Sequence, residues 1–241
     1  MQALFLPDGC FRKTKTNMSN IFSETEYIRR NAEKDTDGKP EYSPMDPPDA
    51  YKPPGIQPVP YEELTPFLRH LADEHKIILT ELEKFESALV EIRKEGINKG
   101  LNKMLADFFQ FLDDSIVLHH LKEERILFPL LHDRLLDKGE HAPGPVPETA
   151  VDMLENDHIK TMQLATLAFS LMGISSRLTD AVSRAVLIDM AVEQGNSLIE
   201  LLRLHIFRED NVVFALAHKY FTADEFKKME ELLKKYFSLS L

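Results

Sequence analysis

A single cysteine, Cys10, and no tryptophan stand among the 241 residues of this chain. One thiol forms no internal disulfide and builds no thiolate zinc or iron–sulfur cage within one chain. No apolar run approaches the roughly 20 residues that a bilayer-crossing helix needs. The opening MQALFLPDGC has only a short apolar run, broken at Pro7, which is too brief for a secretory signal. Basic residues are also in short supply. The 29 Lys and Arg against 40 Asp and Glu give a formal charge of −11, which argues against nucleic acid or an anionic membrane as partner. Strand-like alternation is missing. The expectation is a cytoplasmic, helical protein with no nucleic-acid and no membrane partner.

Proline, by contrast, is concentrated. Nine of the 14 prolines precede residue 61, and eight of these lie between Pro40 and Pro60. Residues 1–60 therefore read as a Pro-rich, partly extended tail, and Met18 offers a second possible start within it. From Tyr61 the pattern turns helical, and residues 61–241 form the second expected unit. Leu64, Leu68, Leu71, Ile78, Leu82, Phe85, Leu89 and Ile92 recur at spacings of three and four, the mark of a buried helical seam.

Gly96 and Gly100 bracket a turn, and a second seam runs through Leu101, Leu105, Phe108, Leu112, Ile116, Ile126 and Leu130, with a bend expected at Pro129. Beyond the GEHAPGPVPET breaker come helices from about Thr149 to Met172 and from about Thr179 to His218. Thr222-Ala-Asp-Glu225 reads as a capping box opening a short C-terminal helix. Four long helices with short connections pack most economically as an antiparallel up-down bundle. The predicted fold is all-α.

Each long helix places one histidine on its apolar seam: His75, His119, His158 and His205. Unpaired polar groups in a core cost about 1–3 kcal/mol each, so these four imidazoles need partners. Two of them lead a carboxylate by one turn, as His119-Leu-Lys-Glu-Glu123 as far as Glu123 and as His205-Ile-Phe-Arg-Glu209. Residues at i and i+4 project from one helix face, so each pair can converge on an ion.

The spacing alone is weak, because His70–Glu74 and His120–Glu124 share it. His70–Glu74 lies off the seam as a solvated pair, and His120 is rotated about 100° from its neighbour on a regular helix. The specific signal is repetition. His75 precedes His119 by 44 residues and His158 precedes His205 by 47, so the chain offers twice a lone seam His followed by His-x-x-x-Glu. Four imidazoles and two carboxylates suit a pair of ions, which in two-metal centres lie about 3.5–4 Å apart.

At residues 61–220, and most specifically in HHLKEERILFPLL, the chain resembles the hemerythrin-like (HHE cation-binding) domains. The resemblance implies a four-helix bundle around a non-heme di-iron centre. Activities in the family include binding of O2, sensing of O2 or NO, iron handling and repair of iron–sulfur clusters. Its register to Pro129 selects His119–Glu123 over His120–Glu124. The expected metal ligands are thus His75, His119, Glu123, His158, His205 and Glu209, with two iron ions as cofactor.

Some features depart from the family pattern. The oxygen carriers have a second histidine where this chain has Met162, read here as core filler, and they end on His-x-x-x-x-Asp, which leaves Asp210 as an alternative to Glu209. Glu155 is a further candidate donor. The four-His set resembles the cluster-repair proteins, yet those also have a Cys-containing N-terminal domain, and here Cys10 stands alone. Two readings follow. One is a binding protein for O2, NO or peroxide, serving sensing, carriage or iron handling. The other is a di-iron enzyme of peroxide or NO reduction or of cluster repair. His70, His132, His141 and His218 are expected at the surface.

Overall fold

The computed structural model describes residues 57–142 and 147–237, and every element among them is helical. The Pro-rich tail, apart from residues 57–60, and Cys10 lie outside the described residues. A 3-10 turn at Tyr61–Glu63 leads into α1 (Pro66–Glu95), whose first residue is a proline, a position where the missing N–H costs nothing. Gly96 ends α1 with φ 74°, its N–H bonded to the carbonyl of Ile92. Asn98 then caps the next helix by accepting the Leu101 N–H at 2.9 Å, so Gly100 already lies inside it.

The second expected helix is one helical run with two changes of pitch. It comprises α2 (Lys99–Phe111), a π-helical turn at Leu112–Ile116, α3 (Val117–Lys122), a second π turn at Glu123–Leu127, and α4 (Phe128–Lys138). Pro129 has no N–H to give to the turn before it, and the wider π turn lies immediately N-terminal to it. The π turn shifts the helical phase, which is why Leu130, expected on the seam, is 47% exposed.

Gly139 (φ 71°) closes α4 in a Schellman arrangement, with the Glu140 N–H bonded to Leu135 and its own N–H to Leu136. Next come α5 (Ala150–Ser175) and α6 (Ala181–Arg208). A third π turn at Glu209–Val213 joins α6 to α7 (Phe214–Tyr220). The expected capping box opens α8 (Ala223–Phe237), with Thr222 and Glu225 each bonded to the other's backbone N–H.

These elements fall into two compact units. In the first, drawn from residues 83–110 and 162–199, Phe85 stacks on Phe108 at 3.8 Å and Phe109 meets Phe169 edge-on at 5.1 Å. These four rings pack against one another. Gly195 sits so near Leu89 that a Cβ there would lie 2.7 Å from Leu89 Cδ1. Met162 is 39% exposed and fills no core, contrary to expectation. The second unit, drawn from residues 57–82, 111–161 and 200–237, has its own apolar core. Phe67, Leu68, Leu71, Leu127, Phe128, Leu154 and Phe214 are all buried there, with Phe226 and Met229 of α8 packed in. Arg134 fastens α8 by donating to the Tyr220 carbonyl and to Glu225. All six predicted ligands belong to this second unit.

Candidate metal centre

Every predicted donor is buried. His75 of α1, His119 of α3, His158 of α5 and His205 of α6 are 1–4% exposed, while Glu123 and Glu209, the first residues of two π turns, are fully buried. His75 Nε2 lies 3.0 Å from His119 Nε2, and His158 Nε2 lies 3.3 Å from His205 Nε2. Metal–nitrogen bonds of about 2.0–2.1 Å place two neighbouring donors of one ion about 3 Å apart, so each histidine pair has the separation of a pair on a single ion.

The carboxylates lie between the pairs. Glu123 Oε1 is 2.9 Å from His119 Nε2 and its Oε2 is 3.4 Å from His158 Nε2. Glu209 Oε2 is 3.1 Å from His75 Nε2 and 3.5 Å from His205 Nε2.

Whether these residues fit a metal can be judged from the same atoms. Among the described residues, none donates a hydrogen bond to the four oxygens of Glu123 and Glu209. Their nearby polar atoms include the inner Nε2 atoms, in contact without an aligned N–H. A buried carboxylate with no donor is costly unless a cation meets it. The donor atoms of His75, His119, Glu123 and Glu209 lie within 4.8 Å of one another, close enough that the group could hold a metal ion. The nitrogen and oxygen donors suit iron, zinc or manganese.

The outer face of each ring has its own carboxylate. His75 Nδ1 is 2.8 Å from Asp210, His119 Nδ1 is 2.9 Å from Glu74, and His158 Nδ1 is 2.8 Å from Glu124. His205 Nδ1 lies 3.9 Å from Asp157, beyond hydrogen-bond distance, and Asp157 Oδ2 accepts from Arg208 at 2.9 Å. Because a carboxylate only accepts, the first three contacts put a proton on Nδ1 and turn Nε2, the nitrogen that an ion would take in place of a proton, inward.

The four acids run in a circuit. Glu74 beside His75 serves His119, and Glu124 beside Glu123 serves His158. Asp157 beside His158 faces His205, and Asp210 beside Glu209 returns to His75. Lys122 in turn holds Glu74. None of the four was singled out as a second layer in the sequence. The signal for them is an acidic residue directly flanking a predicted donor at Glu74, Glu124, Asp157 and Asp210.

Charge coupling follows from this packing. Burial disfavours the charged form of His75, yet Asp210 and Glu209 push it up to about 9. For His119, Glu123 and Glu74 likewise outweigh burial and push it up to about 10. Burial opposes ionisation of Glu123 and Glu74 as well, but the first is held well below its ordinary range by His119 and His158, and the second by His119, His70 and Lys122.

The alternative donors go elsewhere. Asp210 is on the outer nitrogen of His75, and Glu155 is exposed. His70 and His218 are exposed, and His132 and His141 are half-buried. His70 pairs with Glu74 at 3.3 Å. His120, set aside in the sequence as rotated away, is 5% exposed and stacked on His158.

Comparison with known proteins agrees with this constellation. The Hemerythrin HHE cation binding domain family profile matches residues 67–217. The chain belongs to the hemerythrin HHE cation-binding family. Its architecture is the all-α helical bundle of hemerythrin-like proteins. One relative of this hemerythrin-like chain is the iron-sulfur cluster repair protein YtfE of Cronobacter sakazakii (strain ATCC BAA-894), 30% identical over 151 residues. The match covers 60% of this chain and 60% of that protein, so the hemerythrin-like chain spans well under the full length of its relative. No solved structure matches it. Among the described residues no helix is long and apolar enough to cross a membrane.

Proposed function

We propose that this hemerythrin-like protein holds two non-heme iron ions and binds O2, NO or peroxide at them, for sensing, carriage or iron handling. The observation that carries this reading is the pair of buried carboxylates, Glu123 and Glu209, with no hydrogen bond to any of their oxygens and histidine pairs around them. His75 and His119 would hold one ion, His158 and His205 the other, and Glu123 and Glu209 would bridge them. When bound, two irons would supply reversible one-electron chemistry and open coordination positions. The chain's own part is to orient the imidazoles through Asp210, Glu74 and Glu124, and to keep water from the carboxylates by burial. His119 and Glu74 share a proton at His119 Nδ1, and Lys122 balances the charge of Glu74.

The similarity to an iron–sulfur cluster repair protein favours a second reading, delivery of iron to damaged clusters. Metal analysis with visible spectra under cycled O2 tests the first reading. Two irons per chain and a spectrum that reverses with O2 support it, and a chain that binds no iron overturns both. Recovery of an oxygen-damaged iron–sulfur enzyme on addition of the iron-loaded protein, without a reversible spectrum, moves the assignment to repair.

A further inference from the structure

α5 has no charged side chain from Thr161 to Ser176, in a chain of which 29% is charged. Its inward face in the first unit holds Ala165, Ala168, Leu171 and Met172, all buried. Its outward face is apolar too. Met162, Leu167 and Ile174 are 39, 46 and 48% exposed there, and Gln163, Thr166 and Ser170 between them are exposed and uncharged. A helix without a charged face is normally covered on every side, because an apolar stripe left in water is unfavourable.

The neighbouring helices of the same unit have charged outer faces. On α1, Lys94 pairs with Glu91 and Arg93 with Asp189 of α6, each at 2.9 Å. On α2, Lys103 pairs with Asp107 at 2.6 Å. The uncharged stripe is thus a property of α5, and α6 adds to it Val182 and Met190, 50 and 45% exposed.

Two features say what covers the stripe. The first is the absence of acid. No Asp or Glu lies between Asp157 and Asp180, and the exposed Lys160 and Arg177 flank the uncharged stretch. Each chain carries −11, so two copies repel least where acids are missing. The second is symmetry in the order of residues. Met162 and Ile174 lie six positions to either side of Ala168, and Thr166 and Ser170 lie two positions to either side. Turned antiparallel about a two-fold axis level with Ala168, the stripe meets its own copy apolar on apolar and hydroxyl on hydroxyl. That is the self-complementarity an isologous interface requires.

We propose that the outer face of α5 in the first unit binds a second copy of this chain, forming a two-fold dimer with antiparallel α5 helices. Leu167 stands next to the axis, so its two copies pack on each other. An interface built on a few turns of one helix is smaller than the standard ~800 Å² per partner, and the dimer is therefore a reversible one. Met162, which fills no core within the chain, fills the contact between chains.

The test is sedimentation velocity on the full-length protein over a concentration series, comparing wild type with Leu167→Glu, which sets two acids against each other at the axis. Wild type should pass from monomer to dimer as concentration rises. The variant should dimerise at least about ten-fold more weakly, with unchanged circular dichroism and metal content. A wild type still monomeric at about 1 mM overturns the proposal, and so does a variant that dimerises as well as wild type.

Should Leu167→Glu fail to fold, a photo-crosslinker decides, with p-benzoylphenylalanine in place of Leu167 in a mixture of light and heavy-isotope chains. Crosslinks from position 167 to residues 162–174 of the other isotope support the dimer. No crosslink between chains, or one from position 167 to residues 1–56 of the same chain, overturns it.

Discussion

His119 Nδ1 lies 2.9 Å from Glu74 Oε2, and the two residues are 45 positions apart in the chain. Glu74 is held in turn by Lys122, one turn after His119 on the same short helix, so the acid is clamped at two points of that helix. Glu74→Gln keeps the shape and removes the charge. It should weaken metal binding about 10–100-fold, the usual effect of losing such an orienting partner. Competition with a chromophoric chelator measures this. Unchanged affinity would show that burial alone fixes the His119 ring.

Removing a bridging carboxylate should act differently. Glu123→Ala deletes the donor shared between the two histidine pairs, and it also removes the anion that His119 and His158 face in the core. Bound metal should fall below two ions per chain, and the metal-free variant should melt lower than metal-free wild type at pH 7, because His119 and His158 stabilise the Glu123 charge. Elemental analysis and calorimetry on the same preparations check both halves.

Metal removal should lower the melting temperature. An ion at about 100 times its dissociation constant stabilises the fold by about 2.7 kcal/mol. For a chain of this size that corresponds to roughly 5–10 °C, measured by thermal denaturation before and after chelation. A melting point indifferent to chelator would mean that the histidine cluster binds no ion in the purified protein.

The pH dependence has a definite sign. With His75 pushed up to about 9 and His119 to about 10, both rings carry a proton at pH 7 that an incoming ion must displace. Affinity should therefore rise with pH toward that range, and metal uptake at pH 7 should release about two protons from this pair, readable in weakly buffered solution. In the metal-free protein the raised pKa values contribute stability that is complete below the ordinary histidine value and lost as pH rises through 9 and 10. The chelated protein should thus melt lower at pH 10 than at pH 7.

Away from the metal centre, Gly195→Ala places a methyl group 2.7 Å from the buried Leu89 Cδ1. Overpacking of this kind costs typically about 1–3 kcal/mol, partly offset by the better helix propensity of alanine. Net destabilisation with unchanged metal content is the expected outcome in denaturant titration. A stabilised variant would show that Leu89 turns aside freely.

The part of this arrangement legible in the sequence is the part that follows regular helical periodicity. His75, His119, His158 and His205 could be read because each interrupts an apolar seam, and Glu123 and Glu209 because i and i+4 share a face. The π turns broke that arithmetic. They leave Leu130 exposed and turn His120 inward, and neither follows from a constant 100° per residue. Asp210 and Glu209 could not be separated by spacing, since their partner, His75, lies more than 130 residues away. The orienting role of Glu74 and Glu124 was hidden for the same reason: each acts on a histidine from a different helical run.

The circuit of acids also has a consequence for assembly. Each helical run contributes a donor, and three of the four also hold a donor of another run by a hydrogen bond, so no three of them make three-quarters of the centre. A chain whose last run has not docked lacks Glu209 and His205, and it also leaves His75 without Asp210. Tight metal uptake would therefore wait until all four runs have docked, and bound metal would report on the finished fold.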